Sequence, residues 1–600
     1  MSHLSLDDLL AQPEEAAKRD LADAAPIVSG PDFRKAIDNA SPAARRKLRK
    51  LADMLRRAVK LAHSGHGPQA AKLAMKALDA DPESALANHV MGVALEELGR
   101  LSLALEFYQR AYEKDTKSPD IYQSLAMVAW KLDMLPAAEK FLRVFLQMIP
   151  GHPDGTINLA GVLRDQGRFD DAIDLLRTTI YAHPDHFDLW NALGTVLIEA
   201  GDPVQAATFY QESLRLNPEF GRAWNNLAYA HDLVGDVEDS ITAFTRAIEF
   251  AANPKDVAVM RHGRALSYLG LGDLDRGWAE YAIRLDPNYK DATLFQIDAP
   301  LWDGEDPGEL RAKTVVMVGE QGLGDEIMFM NAARDVIDAV GPEGEIRIAC
   351  EKRLIPLFRR SFPDLVIDAH ASARLEGRDW RIADSLLKDR TPVDFWFPMG
   401  NASRAFRGSL DRFPDAASFL TADEATVAHW RDWLSSLGPG LKAGLLWKSL
   451  KMTARRQKYF SAFDNWRPVL ETKGVTLVNL QYGDVEEDIA RAEKDFGITI
   501  HQPPDIDLKN DLDGVAALGK AVDVVVGTMN ATVNLACAVG GSALVATPTA
   551  RGWSRLGSDG LPWYPTARLF HSETFGDWKT PVKAIADVLA EEAKAAKKAA

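Results

Sequence analysis

Cysteine is the scarcest residue of this 600-residue chain, which contains only Cys350 and Cys537. Two cysteines exclude a disulfide framework and a cysteine-rich zinc site, and they suit a reducing compartment. A signal peptide is not expected either, because the first residues have neither a basic start nor an apolar segment. No apolar stretch approaches the roughly 18 residues of a transmembrane helix. We therefore expect a soluble, cytoplasmic protein without membrane insertion.

An excess of positive charge is also absent. The 70 Lys and Arg residues are outnumbered by 86 Asp and Glu, which gives a net charge of −16. A nucleic-acid-binding protein needs clustered Lys and Arg to neutralise phosphates, so this balance argues against that class. Local basic pockets for an anionic ligand remain compatible with it. The length exceeds what one hydrophobic core organises and predicts three or four domains.

The first half contains a 34-residue repeat. Pro82, Pro150, Pro184 and Pro218 are spaced by 34 residues or by twice that distance. Three kinds of residue follow the same period: small residues at Gly92, Ala126, Ala160, Gly194 and Ala228 and at Ala104, Ala138, Ala172, Ala206 and Ser240, large residues at Tyr108, Leu142, Leu176, Tyr210 and Phe244, and glycines at Gly99, Gly167, Gly201 and Gly235. This pattern is typical of the tetratricopeptide repeat (TPR), a pair of closely packed helices.

The repeat predicts an α-helical TPR solenoid of about seven repeats over residues 48–290, preceded by a partly disordered extension, 1–47. Such solenoids present a concave groove that typically binds a peptide or an extended segment. We therefore expect the array to capture a partner protein. The alternative is an array that only supports or dimerises the second half.

From about residue 296, strand and helix patterns alternate. Buried-strand runs are predicted at 314–319, 346–350, 365–368, 442–447, 475–480, 523–527 and 543–546. Alternation of this kind predicts parallel sheets with helices on both faces. The strand-poor stretch 400–441 is interpreted as a hinge between two Rossmann-like halves, 296–436 and 437–585, followed by a charged tail, 586–600. Two such halves facing a cleft form an α/β architecture of the GT-B kind, which binds ligands at the carboxyl ends of its strands.

A glycine-rich turn follows the first predicted strand, in the segment EQGLGDE at 320–326. Gly322 and Gly324 let the backbone approach a ligand, and the helix that follows attracts negative charge. Asp325 is a candidate functional carboxylate. Its alternative role is to cap that helix, which is common for Asp at such a position.

Three segments now carry a resemblance to a known family: GWAEYAIR at 277–284, PLWDGE at 300–305 and VGEQGLGD at 318–325. They resemble bacterial TPR-linked glycosyltransferases, which are related to the lipopolysaccharide heptosyltransferases and more distantly to O-GlcNAc transferases. The resemblance implies an inverting, metal-independent transfer from a nucleotide-sugar, without an obligatory cofactor. It also implies that Asp325 is the general base that takes the acceptor's proton.

Two further motifs resemble the family. Lys448, followed by a basic run that includes Arg455 and Arg456, is interpreted as neutralising the departing phosphate; a solvated charged surface is the alternative. Gln481, in the segment LQYGD, is placed beside the nucleotide base, with an ordinary strand-to-helix turn as the alternative. Trp563 and Tyr564 match the family's Pro-Trp-Tyr ending and are interpreted as packing residues.

The segment 523–540 pairs a buried strand with a turn rich in hydroxyls and amides. Its polar residues Thr528, Asn530, Thr532 and Asn534 are predicted to present donors to a phosphate at the start of the next helix. Helix capping by Thr528 or Asn530 is the alternative for one of them. The family carries Asp and His where this chain has Gly527 and Asn534, so a different donor is expected.

The resemblance is strongest to alphaproteobacterial flagellin glycosyltransferases. It implies flagellin as the protein captured by the repeats and a CMP-activated nonulosonic acid, such as pseudaminic acid, as the donor. Two alternatives stay open: O-GlcNAc-like or heptosyl transfer to another protein, and a non-catalytic adaptor with a degenerate transferase half. The acidic pairs around Asp507 and Asp513 are not expected to bind a metal.

Overall fold

The computed structural model describes residues 42–375, 377–388, 391–448, 459–549 and 551–599. The chain divides into two compact units, Met1–Leu197 and Ile198–Ala600. The division falls within the repeats rather than at the predicted boundary near residue 290. Among the described residues, no helix combines the length and the apolarity needed to cross a bilayer.

The first unit consists of helices that pair along the chain. They are α1 (Pro42–His63) with α2 (Gly67–Ala80), α3 (Ala85–Glu97) with α4 (Leu101–Lys114), α5 (Pro119–Lys131) with α6 (Leu135–Met148), and α7 (Pro153–Asp165) with α8 (Phe169–Ala182), followed by α9 (Phe187–Ala200), which crosses the division. The first helix begins at Pro42, before the predicted start of the array at 48, because proline suits the first turn of a helix.

The pairs pack through the small residues of the repeat, which confirms the predicted TPR solenoid. A Cβ on Gly92 would lie 2.5 Å from the ring of Tyr108, so only glycine lets these two helices approach so closely. Gly99 ends the turn between the same helices at a φ of +72°, a conformation that favours glycine.

The second unit starts with five more helices of the array. They are α10 (Pro203–Leu216), α11 (Gly221–Val234), α12 (Val237–Glu249), α13 (Pro254–Leu271) and α14 (Leu274–Tyr281). The described residues therefore contain fourteen helices between Pro42 and Tyr281, as seven two-helix repeats require. This agrees with the number of repeats that the 34-residue period predicts.

Two parallel sheets follow in the same unit. The strands are β1 (Leu294–Gln296), β2 (Thr314–Val318), β3 (Glu345–Cys350), β4 (Val366–Ala369), β5 (Ala371–Leu375), β6 (Arg378–Ile382), β7 (Phe395–Pro398), β8 (Leu441–Leu445), β9 (Val475–Asn479), β10 (Ile500–His501), β11 (Val524–Thr528), β12 (Ala543–Ala546) and β13 (Ala567–Phe570). The four-stranded sheet has the order β4-β3-β2-β7, and the six-stranded sheet has the order β10-β9-β8-β11-β12-β13. A third sheet, β1-β6-β5, contains one antiparallel pair.

Helices connect these strands. They are α15 (Leu323–Phe329), α16 (Ala333–Val340), α17 (Ile355–Ser361), α18 (Asp384–Leu387), α19 (Asn401–Phe406), α20 (Glu424–Ser436), α21 (Arg467–Leu470), α22 (Glu486–Phe496), α23 (Leu512–Ala521), α24 (Ala531–Ala538) and α25 (Lys579–Ala599). The predicted hinge 400–441 therefore contains α19 and α20, and the predicted tail 586–600 continues α25 to Ala599.

Both parallel sheets are buried on both faces, as the alternating strands and helices predict. In β11, Val525 faces one hydrophobic core while Val524 and Val526 face another. In β2, Val315 and Val316 point into different cores in the same way. Continuous apolar runs are what strands covered on two faces require.

The last repeat shares its core with the first sheet. Trp278 of α14 is buried, and its indole N–H donates to the carbonyl of Arg407 at 2.9 Å. Its ring lies edge-on to that of Trp563, with 6.1 Å between the ring centroids. The end of the repeat array and the sheets are consequently parts of one hydrophobic core.

Two glycines of α13 test this packing. A Cβ on Gly263 would meet the Phe244 ring at 2.4 Å, whereas one on Gly270 would have its nearest neighbour at 3.7 Å. We expect Gly263→Ala to lower the free energy of unfolding by about 1–2 kcal/mol, because the clash outweighs the gain in helix propensity. The matched variant Gly270→Ala should be neutral or stabilising in the same urea titration. Equal effects of the two substitutions would contradict the packing.

Candidate functional site

The turns that follow β2 and β11 lie against each other. Asn534 of α24 donates from Nδ2 to the carbonyl of Gly324 at 2.9 Å. A Cβ on Gly324 would lie at the same 2.9 Å from that Nδ2, so glycine permits the close approach. The helices α15 and α24, which follow one strand of each parallel sheet, therefore contact each other beyond the carboxyl ends of those strands, where α/β folds place their ligands.

Asp325 is a partly buried carboxyl group at this junction. Its Oδ2 accepts a hydrogen bond from the backbone N–H of Gly322 at 3.0 Å, so the capping role is present. Burial raises the pKa of Asp325 to about 6; the Gly322 N–H opposes this shift, and the nearby Glu320 and Glu326 add to it. A carboxyl group with this pKa is ionised at neutral pH and still basic enough to accept a proton.

The turn 528–534 contains polar atoms without partners. Among the described residues, Thr528 Oγ1, Asn530 Nδ2 and Asn534 Oδ1 are buried and make no hydrogen bond. Buried polar groups are nearly always paired, so three orphans in seven residues indicate a place for a ligand. Thr532 is buried beside them.

Asn530 also caps α24. Its Oδ1 accepts from the backbone N–H groups of Thr532 and Val533 at 2.9 and 3.1 Å. Two of the amides at the helix start are thereby occupied within the protein. The side-chain groups of the turn, rather than these amides, remain open to a phosphate.

A cavity of about 400 Å³ lies at the carboxyl ends of β11 and β12. Its lining includes Asp232, Leu266, Thr528, Thr547, Arg551 and Trp553. The ring of Trp553 stacks on that of Tyr281 with 6.3 Å between centroids, and Tyr281 lies close enough to Asp325 to sense its charge. The cavity is thus lined by repeat helices and by the ends of β11 and β12, and Tyr281 lies between its Trp553 wall and Asp325, which does not itself line it.

A buried ion pair holds the first turn in place. Arg284, just after α14, donates from Nε to Glu320 Oε2 at 2.7 Å, and both side chains are at most 3% exposed. Glu320 also accepts from the backbone N–H of Gly400 at 2.7 Å. Arg284 and Glu320 both lie in the motif segments of the sequence, but the sequence alone indicated no role for either. The one feature of the sequence that could have suggested this ion pair is their opposite charge at the ends of two motif segments.

Glu326 anchors the same turn from the other side. Its carboxylate lies 3.0 Å from Nε2 of His370 and accepts from the backbone N–H of Glu351 at 2.8 Å. A Cβ on Gly319 would lie 2.3 Å from this carboxyl group, which explains the glycine at that position. Sequence reasoning did not single out Glu326 or His370.

Lys448 and Gln481 are engaged with other protein groups. The ammonium group of Lys448 lies 2.9 Å from Asp488 and also contacts the carbonyl of Asp484. Gln481 accepts from the backbone N–H groups of Trp447 and Lys448 at 3.0 and 2.9 Å, bridging the ends of β8 and β9. Their assignment to the nucleotide stays a prediction, and Arg455 and Arg456 lie outside the described residues.

The remaining motif residues, Trp563, Tyr564 and Gly527, lie in the packed interior. Trp563 is fully buried and donates to the carbonyl of Ser554 at 3.0 Å. The hydroxyl of Tyr564 is buried and lacks a partner among the described residues, and its pKa is raised by burial and by the charge of Asp325. A side chain at Gly527 would collide with the carbonyl of Leu446, which accounts for the missing Asp there.

The acidic pairs that follow β10 have structural roles. Asp513 binds Arg360 at 2.5 Å, and Asp511 caps α23 by accepting from the N–H of Gly514 at 2.9 Å. Asp507 accepts from the N–H groups of Lys509 and Asn510 in a turn.

A match to a repeat family supports the repeat assignment. The tetratricopeptide repeat family matches residues 55–119, 157–219 and 191–257. Protein FlbA of Caulobacter vibrioides is 41% identical over 535 residues, which cover 89% of each chain. Protein O-mannosyl-transferase TMTC3 of Homo sapiens is 24% identical over 202 residues, which cover 30% of this chain and 22% of that protein. The crystal structure of TTC0263, a TPR protein of Thermus thermophilus, is 21% identical and covers 29% of this chain and 96% of its own, with a TM-score of 0.27.

The Arg284–Glu320 pair can be tested by an isosteric change. Glu320→Gln leaves the guanidinium buried without a counter-charge, so we expect the free energy of unfolding to fall by about 3 kcal/mol. Glu249→Gln is the control, because Glu249 pairs with Arg246 on the surface, where both side chains are more than half exposed. It should cost less than about 1 kcal/mol. Similar losses in a denaturant titration would contradict a special role for the buried pair.

Proposed function

The chain belongs to the family of the Caulobacter vibrioides protein FlbA, and we propose that it is a protein glycosyltransferase of the GT-B kind. It moves a sugar from a nucleotide-activated donor to a Ser or Thr hydroxyl of a protein captured by the repeats. The observation that carries this proposal is the junction of Asp325 with the turn 528–534. A partly buried carboxyl group there faces a turn whose polar atoms lack partners.

The chemistry follows from these groups. Asp325 accepts the proton of the acceptor hydroxyl as its oxygen attacks the anomeric carbon. The bond between that carbon and the donor phosphate breaks, and the nucleotide leaves with the bonding electrons. Thr528 and Asn530 have side-chain donors available to this phosphate, and hydrogen bonds aimed at developing charge are a major source of rate. Attack from the face opposite the leaving nucleotide inverts the configuration.

The acceptor and the donor are proposed from the resemblance of the motifs at 277–284, 300–305 and 318–325. They are flagellin and a CMP-linked nonulosonic acid of the pseudaminic acid type. Asn534 stands where related enzymes carry His, and this difference supports a donor unlike theirs. Its Nδ2 is committed to Gly324, so the side chain orders the junction and cannot supply a positive charge.

The first prediction concerns the mass of the acceptor. Flagellin co-expressed with the wild-type protein and a complete donor pathway should gain the mass of the sugar. With Asp325→Asn the gain should disappear while flagellin is still retained by the protein, because the amide cannot accept the proton. Intact-mass spectrometry and co-purification measure the two effects.

The control is Asp338→Asn, which removes an exposed carboxylate from the neighbouring α16. It should leave the modification intact. If wild-type protein adds no mass although the donor pathway is verified, flagellin transfer is ruled out. Retained binding without transfer to any acceptor would instead identify an adaptor.

A second prediction concerns pH. The general base must be ionised, and the pKa of Asp325 is raised to about 6 by burial. Below that value kcat/KM should fall about tenfold per pH unit, and above it the rate should level off. The measurement is the rate of sugar transfer between pH 5 and pH 8. A profile that stays flat down to pH 5 would exclude Asp325 as the base.

A further inference from the structure

One wall of the cavity comes from a repeat helix. Asp232 lies in the last turn of α11, and its side chain lines the cavity together with Thr528 and Trp553. No sequence motif drew attention to this residue, because an acidic residue on a solenoid helix is ordinarily a solvated surface group. Its position places a repeat side chain inside the transfer half.

Asp232 is poorly placed for stability. A carboxylate at the C-terminal end of a helix opposes the helix dipole. Burial raises the pKa of Asp232 to about 6, and the hydroxyl of Ser267 is the one group that counteracts this shift. None of the salt bridges between described residues includes it. A residue that lines a cavity and is unfavourable for stability is a candidate functional residue.

The surroundings of Asp232 suit a flat ring. Trp553, Tyr459 and Phe460 line the same cavity and offer aromatic surfaces. The aromatic groups and the carboxylate therefore surround an open space.

Another part of the cavity lining is the turn after β11. There the unpartnered hydroxyl of Thr528 can donate to a phosphate. A carboxylate repels phosphate and accepts hydrogen bonds from N–H and O–H groups. A ligand in this cavity is thus oriented with its phosphate at Thr528 and a hydrogen-bond donor at Asp232. A volume of about 400 Å³ is in the range of small-ligand sites.

We propose that Asp232 selects the nucleobase of the donor by accepting a hydrogen bond from an exocyclic amino group on the base. This assignment rests on the proposed function, because it takes the cavity as the donor site. The repeat array then has a second task besides capturing a protein: its sixth helix pair completes the nucleotide pocket. Base selection by a repeat residue couples the two halves of the chain.

Two matched pairs of nucleotides test the assignment. CMP carries an amino group where UMP carries a carbonyl group, with an N–H on the adjacent ring nitrogen of UMP, and AMP and IMP differ in the same way. Titration calorimetry on the full-length protein should show that the amino member of the better-fitting pair binds at least about tenfold more tightly. Asp232→Ala should abolish this preference while leaving the affinity for the carbonyl member unchanged, which shows that the pocket remains folded.

Asp236→Ala is the control, since Asp236 is an exposed carboxylate just beyond the same helix and does not line the cavity. It should keep the preference. Equal affinities within both pairs, a preference that survives in Asp232→Ala, or no binding of any of the four nucleotides would overturn the assignment. If the acceptor nevertheless gains mass with the same wild-type protein, the proposed transfer still stands. If there is neither a base preference nor a mass gain, both the base selection and the transfer are excluded.

Discussion

Burying two opposite charges is costly unless each satisfies the other, and the junction of repeats and sheets depends on such a pair. Arg284 and Glu320 are both almost fully buried and lie 2.7 Å apart. The guanidinium also donates to Asn401 at 2.7 Å and lies over the ring of Tyr281. Because a partner left alone would be an uncompensated charge in the core, the pair specifies one arrangement of the last repeat against the first sheet.

The arrangement has consequences for the candidate site. Glu320 immediately precedes the glycine-rich turn, so the position of Asp325 depends on the end of the repeat array. Trp553, which lines the cavity, stacks on Tyr281 of the same repeat. From Ile198 onward, repeats and sheets form one compact unit. Repeat helices therefore line the cavity of the second half, and in the proposed function the array that captures the acceptor also contributes side chains to the donor site.

Packing explains the two positions, Gly527 and Asn534, at which the chain differs from the family pattern. Gly527 is required because the carbonyl of Leu446 leaves no space for a side chain. Asn534 bridges to the carbonyl of Gly324 and so links the two turns that form the site. Both residues weaken the electrostatic means of holding a phosphate while preserving the meeting of the turns. In the proposed function, the unpartnered side-chain groups of Thr528 and Asn530 bind this phosphate.

The sequence by itself determined the repeats, their number and the parallel strands, because the 34-residue period and the buried apolar runs are local patterns repeated many times. It also indicated Asp325 and the polar turn 528–534. It did not predict β7, β10 or β13, since short strands at the flanks of a sheet carry little pattern of their own.

Only the tertiary structure decided which charges meet. The Arg284–Glu320 and Lys448–Asp488 pairs join residues 36 and 40 positions apart. The cavity likewise places Asp232 with Thr528 and Trp553, from distant parts of the chain. Such contacts have no periodicity and leave no trace in composition. They are set by how separate elements pack, which is why the residues of the site were only partly visible in the sequence.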